Sequence, residues 1–523
     1  MADPTQIKSL ADIVRLYGVE TPDRVALIDG DRSRTWKELL DRSAQVAQAL
    51  EAAGVSSGDR VAFLDKNSIE HFEVFFGAAM LNAVCVDPNW RLAGPEVQFI
   101  VDDSAAPVLI LSSEFTELID GIHADLPKVT TTVVIGGHGA HHDYEEWLGA
   151  HEPVDPMAPS TGDDIGFQLY SSGTTGRPKG VMLSNDNFLG ILPMAQEVWE
   201  LSADSVNLAA MPLFHIGGGG WATAGMYYGC TTVIMRELNP LALAELIAEH
   251  KITHAFLVPA VLGFMLFTPD LDPSQLSSME ILVYGASPIT EDILTQSVAL
   301  FGCKFWQAYG LTETTGAVFN LPPEDHDPDG PNKHRLRSCG VPGPGVEVRI
   351  VGDEGADVET VGDVGEILVR SSQVMVGYWN RPEDTAEAID ADGWFKTGDA
   401  GYLDDDGYLY IHDRVKDMIV SGGENVYPAE VENALSSHPA IQDVAVIGVP
   451  DEKWGEVAKA IVVKVADAEV TPEEIIAFGR EQLAGFKTPK TVDFVDELPR
   501  NPTGKVLKKD LRAPFWEGQD RNV

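Results

Sequence analysis

Tyr170-Ser171-Ser172-Gly173-Thr174-Thr175-Gly176-Arg177-Pro178-Lys179-Gly180 follows directly on an apolar run that begins at Ile165. A buried strand that ends in glycines, hydroxyls and one lysine reads as a phosphate loop. The glycines permit a tight turn that brings backbone N–H groups against an anion, and Lys179 adds charge. The spacing is not that of a Walker A loop, since Lys179 follows Gly173 by six positions and is itself followed by Gly180. Taken alone, the stretch also fits a plain Gly/Ser turn between strand and helix.

Outward from this loop, short apolar strands alternate with helices. Upstream, Thr35-x-x-Glu38 is a capping box, and Leu39, Val46, Ala47 and Leu50 recur at helical spacing until Gly54. Strands are expected at 61–64, 108–111 and 131–135, with a helix over 69–79. Residues 138–161, rich in His, Glu, Asp and Pro, read as a linker. Its His138, His141 and His142 suggest a metal site less readily than an exposed polar loop, because no structured acid is spaced to join them. Downstream, strands are expected at 165–171, 206–211, 231–235, 255–258, 281–284 and 305–308, with helices at 241–250 and 288–301. Apolar strands alternating with helices predict open, largely parallel sheets covered on both faces. From about Gly340 the texture turns to short strands and Gly/Asp turns, such as Asp404-Asp405-Asp406-Gly407, a hairpin signal. The last hundred residues read as an α+β unit of their own.

Composition narrows the functions. The 523 residues are 44% apolar and 23% charged, which excludes wholesale disorder. A formal net charge of −44 opposes binding to nucleic acid or anionic lipid. The bias reverses only in residues 485–523, so an anionic ligand is expected near that tail. Cys85, Cys230, Cys303 and Cys339 are too few and scattered for a disulfide framework or a zinc site. No secretory signal opens the sequence, and the longest apolar stretch, residues 255–267, is interrupted by Pro259 and is too short to span a bilayer. A cytoplasmic location is expected.

Further motifs follow the loop in order: Met211-Pro212-Leu213-Phe214-His215; Tyr284-Gly285-Ala286-Ser287-Pro288; Tyr309-Gly310-Leu311-Thr312-Glu313; Thr397-Gly398-Asp399; Asp413-Arg414-Val415-Lys416-Asp417 with Ser421-Gly422-Gly423-Glu424-Asn425; and Asn501-Pro502-Thr503-Gly504-Lys505. Singly, each is a common turn or strand end. As an ordered set spanning nearly the whole chain, they resemble the adenylate-forming superfamily of acyl-CoA synthetases, luciferases and adenylation domains.

The resemblance implies an α/β fold. A large N-terminal domain (1–413, subdomains about 1–160, 161–338 and 339–413) would combine layered open sheets with a small β-barrel-like subdomain. A small mobile α+β domain (414–523) would be hinged to it at Lys416. The implied reaction joins a carboxylic acid to ATP as acyl-AMP, releasing pyrophosphate, and then transfers the acyl group to coenzyme A. By resemblance, Glu313 holds Mg²⁺, Thr312 meets the α-phosphate, and Lys505 bridges the carboxylate and α-phosphate. The ATP/AMP set is Ser171, Ser172, Gly173, Thr174, Thr175, Gly176, Lys179, Gly285, Ala286, Ser287, Ala308, Tyr309, Gly310, Asp399, Ile411 and Arg414. Tyr309 would stack on adenine, and Asp399 would accept from the ribose hydroxyls. The acyl pocket would be lined by His215, Ile216, Gly217, Trp221, Phe256, Tyr284 and Gly316, and coenzyme A would meet Gly422, Gly423, Glu424 and Lys487.

That pocket has no Asp for an α-ammonium and no Lys or Arg for a second carboxylate. It predicts an apolar acid: a medium- or long-chain fatty acid first, an aryl or steroid-side-chain acid otherwise. Gly217 to Gly220 are expected to leave room for the acyl chain. Loading of a carrier protein is the main alternative; a carrier domain would be expected to follow Lys505, whereas the sequence ends at Val523. A luciferase-like oxygenase and a non-catalytic adenylate binder are the others. A homodimer is the candidate assembly.

Overall fold

The computed structural model describes residues 2–516 except 138, 172–177, 353–354, 359, 415–416, 422–423, 452, 467 and 501–505; for Asp413, Arg414, Glu424 and Asn425 it describes the backbone alone.

Two large sheets draw their strands from residues 25–378. The eight-stranded sheet runs in the order Gly377–Tyr378, Lys179–Ser184, Ile165–Ser171, Val84–Val86, Arg60–Leu64, Val108–Ser112, Thr131–Ile135, His142–Asp143. It is parallel from Ile165–Ser171 onward, and the first two strands are antiparallel additions. The nine-stranded sheet is parallel across Lys304–Leu311, Ile281–Gly285, His254–Leu257, Val206–Ala209, Thr231–Ile234 and Val25–Asp29, with antiparallel edges. These agree with the open, largely parallel sheets expected from the alternation of elements.

One apolar core joins the two sheets. The helix Ile69–Met80 lies within it, and all of its residues but Ala79 are buried. It is enclosed on every side although it carries Glu70, His71 and Glu73, so these groups must find partners inside the protein. The helix Trp36–Ala52 packs on it and starts at the capping box, where Thr35 Oγ1 accepts from Glu38 N and Glu38 Oε2 accepts from Thr35 N.

Residues 138–161 are not simply a linker: His142–Asp143 adds a parallel strand, and the helix Tyr144–Gly149 buries Tyr144 and Leu148. Tyr144 OH donates to Glu73, a fully buried carboxylate that also takes Arg34 and Arg42. Of the run's polar groups, Tyr144 and Glu145, which pairs with Arg42, join this network. His141 meets Asp120, and the described residues hold no cluster of three metal-binding side chains.

Nor do the sheets follow sequence order. Val25–Asp29 pairs with Thr231–Ile234, and Gly377–Tyr378 joins the first sheet, so each large sheet takes a strand from a distant part of the chain. Residues 347–414 form a four-stranded antiparallel sheet. From Ile419 onward the chain builds a five-stranded sheet with its own apolar cores.

Candidate active site

Ser171 and Lys179 face each other across the antiparallel pair that flanks the phosphate-loop sequence. Residues Ser172, Gly173, Thr174, Thr175, Gly176 and Arg177 lie outside the described residues. Ser171 Oγ donates to Glu313 Oε1 at 3.0 Å, and Tyr378 OH donates to the same oxygen at 3.1 Å. Glu313 is buried in the short turn Thr312–Thr314.

That turn is fixed from within and without. Leu311 N donates to Thr314 Oγ1, Thr315 Oγ1 donates to Gln373 O, and Met375 N donates to Glu313 O. A carboxylate held by two hydroxyl donors on a rigid turn is prepared for one direction of approach. Lys179 Nζ, over the Tyr378 ring, pairs with Asp384 Oδ1 at 2.6 Å.

A second constellation lies along the strand Lys304–Leu311. Tyr309 OH donates to Asp399 Oδ2 at 2.7 Å. Asp399 N donates to Thr397 Oγ1, which donates to Ile367 O. Asp399 pairs with Arg414 by backbone, and Ile411 with Gly401. Beside them, Gly285 lies opposite Ala308, and a Cβ at Gly285 would stand 2.0 Å from Ala308 O. The next residue, Ala286, takes φ +67°, a left-handed conformation costing about 1–3 kcal/mol in a residue that bears a Cβ. Such strain sits where Gly285, Ala286 and Ser287 were expected to border adenine. A Cβ at Gly310 would meet Gly316 O at 1.8 Å, so that strand crossing also demands glycine.

The third region follows Met211. Its wall comprises Trp221 against Phe256, with ring centroids 6.3 Å apart, and Gly217, whose added Cβ would stand 2.9 Å from Phe256 Cε1. Gly316 faces Ile191 and Ile216. His215 precedes the helix Ile216–Tyr227; burial, reinforced by Arg91, lowers its pKa to about 4, so its ring is neutral. His215 Nε2 is buried without a hydrogen-bond partner among the described residues.

Tyr284 does not belong to this wall. In the parallel register Phe256 stands beside Val283 and Leu257 beside Tyr284, so Tyr284 projects from the opposite face. There it packs on Phe305 and hydrogen-bonds His326 Nε2.

The glycine run is also corrected. A Cβ at Gly218 would lie 2.1 Å from Pro212 O, and one at Gly219 2.6 Å from Leu213 O. These glycines admit a backbone, not an acyl chain.

Asn67 was not singled out from sequence. It is buried just before the helix Ile69–Met80, where its amide nitrogen donates to the carbonyls of Ala209, Met211 and Met235, and its oxygen accepts from Leu213 N. It thus clamps residues 209–213 from one side while Gly218 and Gly219 press from the other. An Asn before a helix carries no local sign of such distant partners. Tyr378 and Asp384 were missed for the same reason.

In the last unit, Lys487 Nζ is paired with both carboxylate oxygens of Glu430, which offsets the cation expected for a coenzyme A phosphate. Lys416, Gly422, Gly423 and Lys505 lie outside the described residues, and Arg414 and Glu424 are described only by backbone.

A profile of AMP-binding enzymes matches residues 17–379, and one of the AMP-binding enzyme C-terminal domain matches residues 430–505. The chain belongs to the AMP-binding enzyme family. It is 40% identical over 523 residues to the fatty acid–[acyl-carrier-protein] ligase ScoC of Streptomyces coeruleorubidus, covering 99% of this chain and 98% of that one. It is 38% identical over 496 residues to a feruloyl-CoA synthase of Amycolatopsis sp, covering 95% and 96%. Among solved structures, the anthranilate CoA ligase AuaEII in complex with anthranoyl-AMP superimposes with a TM-score of 0.89 at 29% identity, covering 98% of this chain and 99% of that chain. Membership of the AMP-binding enzymes makes the chain an acyl-CoA synthetase-type ligase, a class that works with ATP, Mg²⁺ and coenzyme A. No helix among the described residues is long and apolar enough to cross a membrane.

Proposed function

We propose that this AMP-binding enzyme is an acid–CoA ligase for medium- or long-chain fatty acids, with Glu313 as the metal-binding carboxylate. The observation that carries the site reading is the convergence of Ser171, Tyr378 and the rigid turn on a single buried carboxylate, Glu313. Mg²⁺ suits it: the ion takes hard oxygen ligands and is usually held by one or two carboxylates plus substrate phosphates. When bound, the metal neutralises charge on the reacting phosphates.

The chain's own residues then position and polarise. Thr312 borders the α-phosphate, Tyr309 packs on adenine, and Asp399, oriented by the Tyr309 hydroxyl, accepts from the ribose. Arg414, whose backbone pairs with that of Asp399, is assigned to the ribose by the family motif. Lys505 bridges the carboxylate and α-phosphate during adenylation. Rotation of residues 414–523 about Lys416 then withdraws Lys505 and admits the thiol past Gly422 and Gly423. Such catalysis is mainly orientation and charge stabilisation. Action in the cytoplasm and a homodimeric assembly complete the reading, the latter checked by light scattering.

The fatty-acid assignment rests on the apolar wall of Ile216, Trp221, Phe256 and Gly316, where buried area sets affinity. An aryl acid is the second reading. It is favoured by the paired rings of Trp221 and Phe256 and by the neutral His215 with its unpartnered Nε2, to which a ring substituent could hydrogen-bond.

AMP release measured with and without coenzyme A, across straight-chain, aryl and steroid-side-chain acids, tests both. Coenzyme A-dependent turnover that rises from acetate to octanoate and beyond supports the first reading. A maximum on hydroxylated or methoxylated aryl acids supports the second, and turnover only with a carrier protein overturns the choice of coenzyme A.

A further inference from the structure

Lys179 is already engaged. Its Nζ lies 2.6 Å from Asp384 Oδ1 and 5.0 Å from the centroid of the Tyr378 ring, and its side chain is only 13% exposed. Asp384 comes from 205 positions downstream, yet its placement is tightly specified. Gly377–Tyr378 pairs with the strand that begins at Lys179, and Trp379 N donates to Gly180 O. Thr385 Oγ1, in the helix Pro382–Ala388, accepts from Tyr378 N and donates to Arg381 O. The fold therefore delivers a carboxylate onto the one lysine that flanks the phosphate loop.

An ammonium meant only for polyphosphate would be better left without an acid beside it. We propose that Asp384 is a competing counter-ion that weakens the hold of Lys179 on polyphosphate and so speeds the departure of pyrophosphate. This rests on reading the site as the one that binds ATP.

An anion arriving at Lys179 either displaces Asp384 or sits beside its negative charge, and both lower affinity. The three donors of an ammonium on a flexible stem let it be shared, so the pair weakens binding without abolishing it. A tether explains the pair differently: Asp384 lies in the first turn of its helix, where an acid is favoured, and would merely hold the helix down. The two accounts predict opposite signs. Loss of a tether loosens the site; loss of a competitor tightens it.

The test is calorimetric titration of pyrophosphate with Mg²⁺ into the full-length protein and its Asp384→Asn, Asp384→Ala and Lys179→Ala variants, with unfolding temperatures recorded alongside. Both Asp384 variants are expected to bind pyrophosphate at least threefold more tightly and to release it more slowly after a single turnover. Lys179→Ala is expected to bind it more weakly. If Lys179→Ala weakens binding while neither folded Asp384 variant tightens it, the counter-ion proposal is overturned and the site reading stands. If Lys179→Ala leaves pyrophosphate affinity unchanged, the reading of Lys179 as a polyphosphate ligand fails, and the counter-ion proposal with it.

Discussion

Gly217 and Gly218 are adjacent, and substitutions at them should behave quite differently. At Gly218 any Cβ would run into the carbonyl of Pro212, which is backbone and cannot swing aside. Overfilling a packed site costs typically about 1–3 kcal/mol, and more where backbone is struck. Gly218→Leu should therefore lower the unfolding temperature and depress turnover of every acid alike. At Gly217 the obstacle is the edge of the Phe256 ring, a side chain that can shift where backbone cannot. Gly217→Ala should keep the fold and selectively raise KM for the bulkiest acids. Thermal unfolding with a chain-length series separates the two; selective loss of long acids in Gly218→Leu would restore those glycines to the pocket. Lys505→Ala should cost roughly 10²–10³ in acyl-AMP formation, the usual effect of removing one donor to developing charge. Thioester formation from supplied acyl-AMP should be largely retained, and equal loss in both half-reactions would exclude the assigned role.

At the scale of elements, the strands were legible because each is a short apolar run between turn residues. Thr131–Ile135 and Ile165–Ser171 match their expected limits. Illegible were features set by tertiary partners. The strand His142–Asp143 is too short and polar to show a period, and the helix after it owes its place to the buried acid Glu73. Tyr284 shared its motif with adenine-loop residues, but alternation along the strand turned it the other way. Asn67 belongs to this scale too, since it ties the start of one helix to the ends of two strands. Asn67→Ala would take the Asn67 partner from the carbonyls of Met211 and Met235 and from the Leu213 N–H, at roughly 1–3 kcal/mol for each group left unsatisfied, while Ala209 O keeps the Met235 N–H. It should lower the unfolding temperature and raise KM for the acid more than for ATP, as steady-state kinetics with each substrate varied would reveal. At the other end of the chain, proline fixes φ near −65° and would obstruct a hinge. Lys416→Pro should spare adenylation and cripple thioester formation, which separate half-reaction assays measure. Survival of both steps would remove Lys416 as the pivot.

Across the whole molecule, four buried histidines set the acid limit of stability. Burial lowers the pKa of His71 to about 3 and those of His215, His254 and His326 to about 4. In the unfolded chain they titrate near 6.5, so between about pH 6.5 and 4 the unfolded state holds more protons than the native one. Stability is then full above pH 6.5 and falls as pH drops through this window. Asp87, raised to about 8 by burial, has the opposite slope, as do Asp65 and Glu366, which burial also raises, but these are three groups against four. Unfolding temperatures recorded from pH 8 to 4 should decline most steeply below 6.5; a flat profile would mean that the imidazoles are not buried neutral.

The hairpin of Val25–Asp29 with Arg32–Thr35 bears on how the protein is made. Val25 and Thr231, joined by hydrogen bond, are separated by 206 positions. At about 5–20 residues per second, a ribosome needs on the order of 10–40 seconds to supply that partner. The first sheet waits longer still, because Gly377–Tyr378 completes its edge. The nascent chain must therefore carry an unpaired strand edge through much of its synthesis. A gene divided near codon 160 should accordingly yield two fragments that aggregate apart, yet recover fold and activity when they are synthesised together.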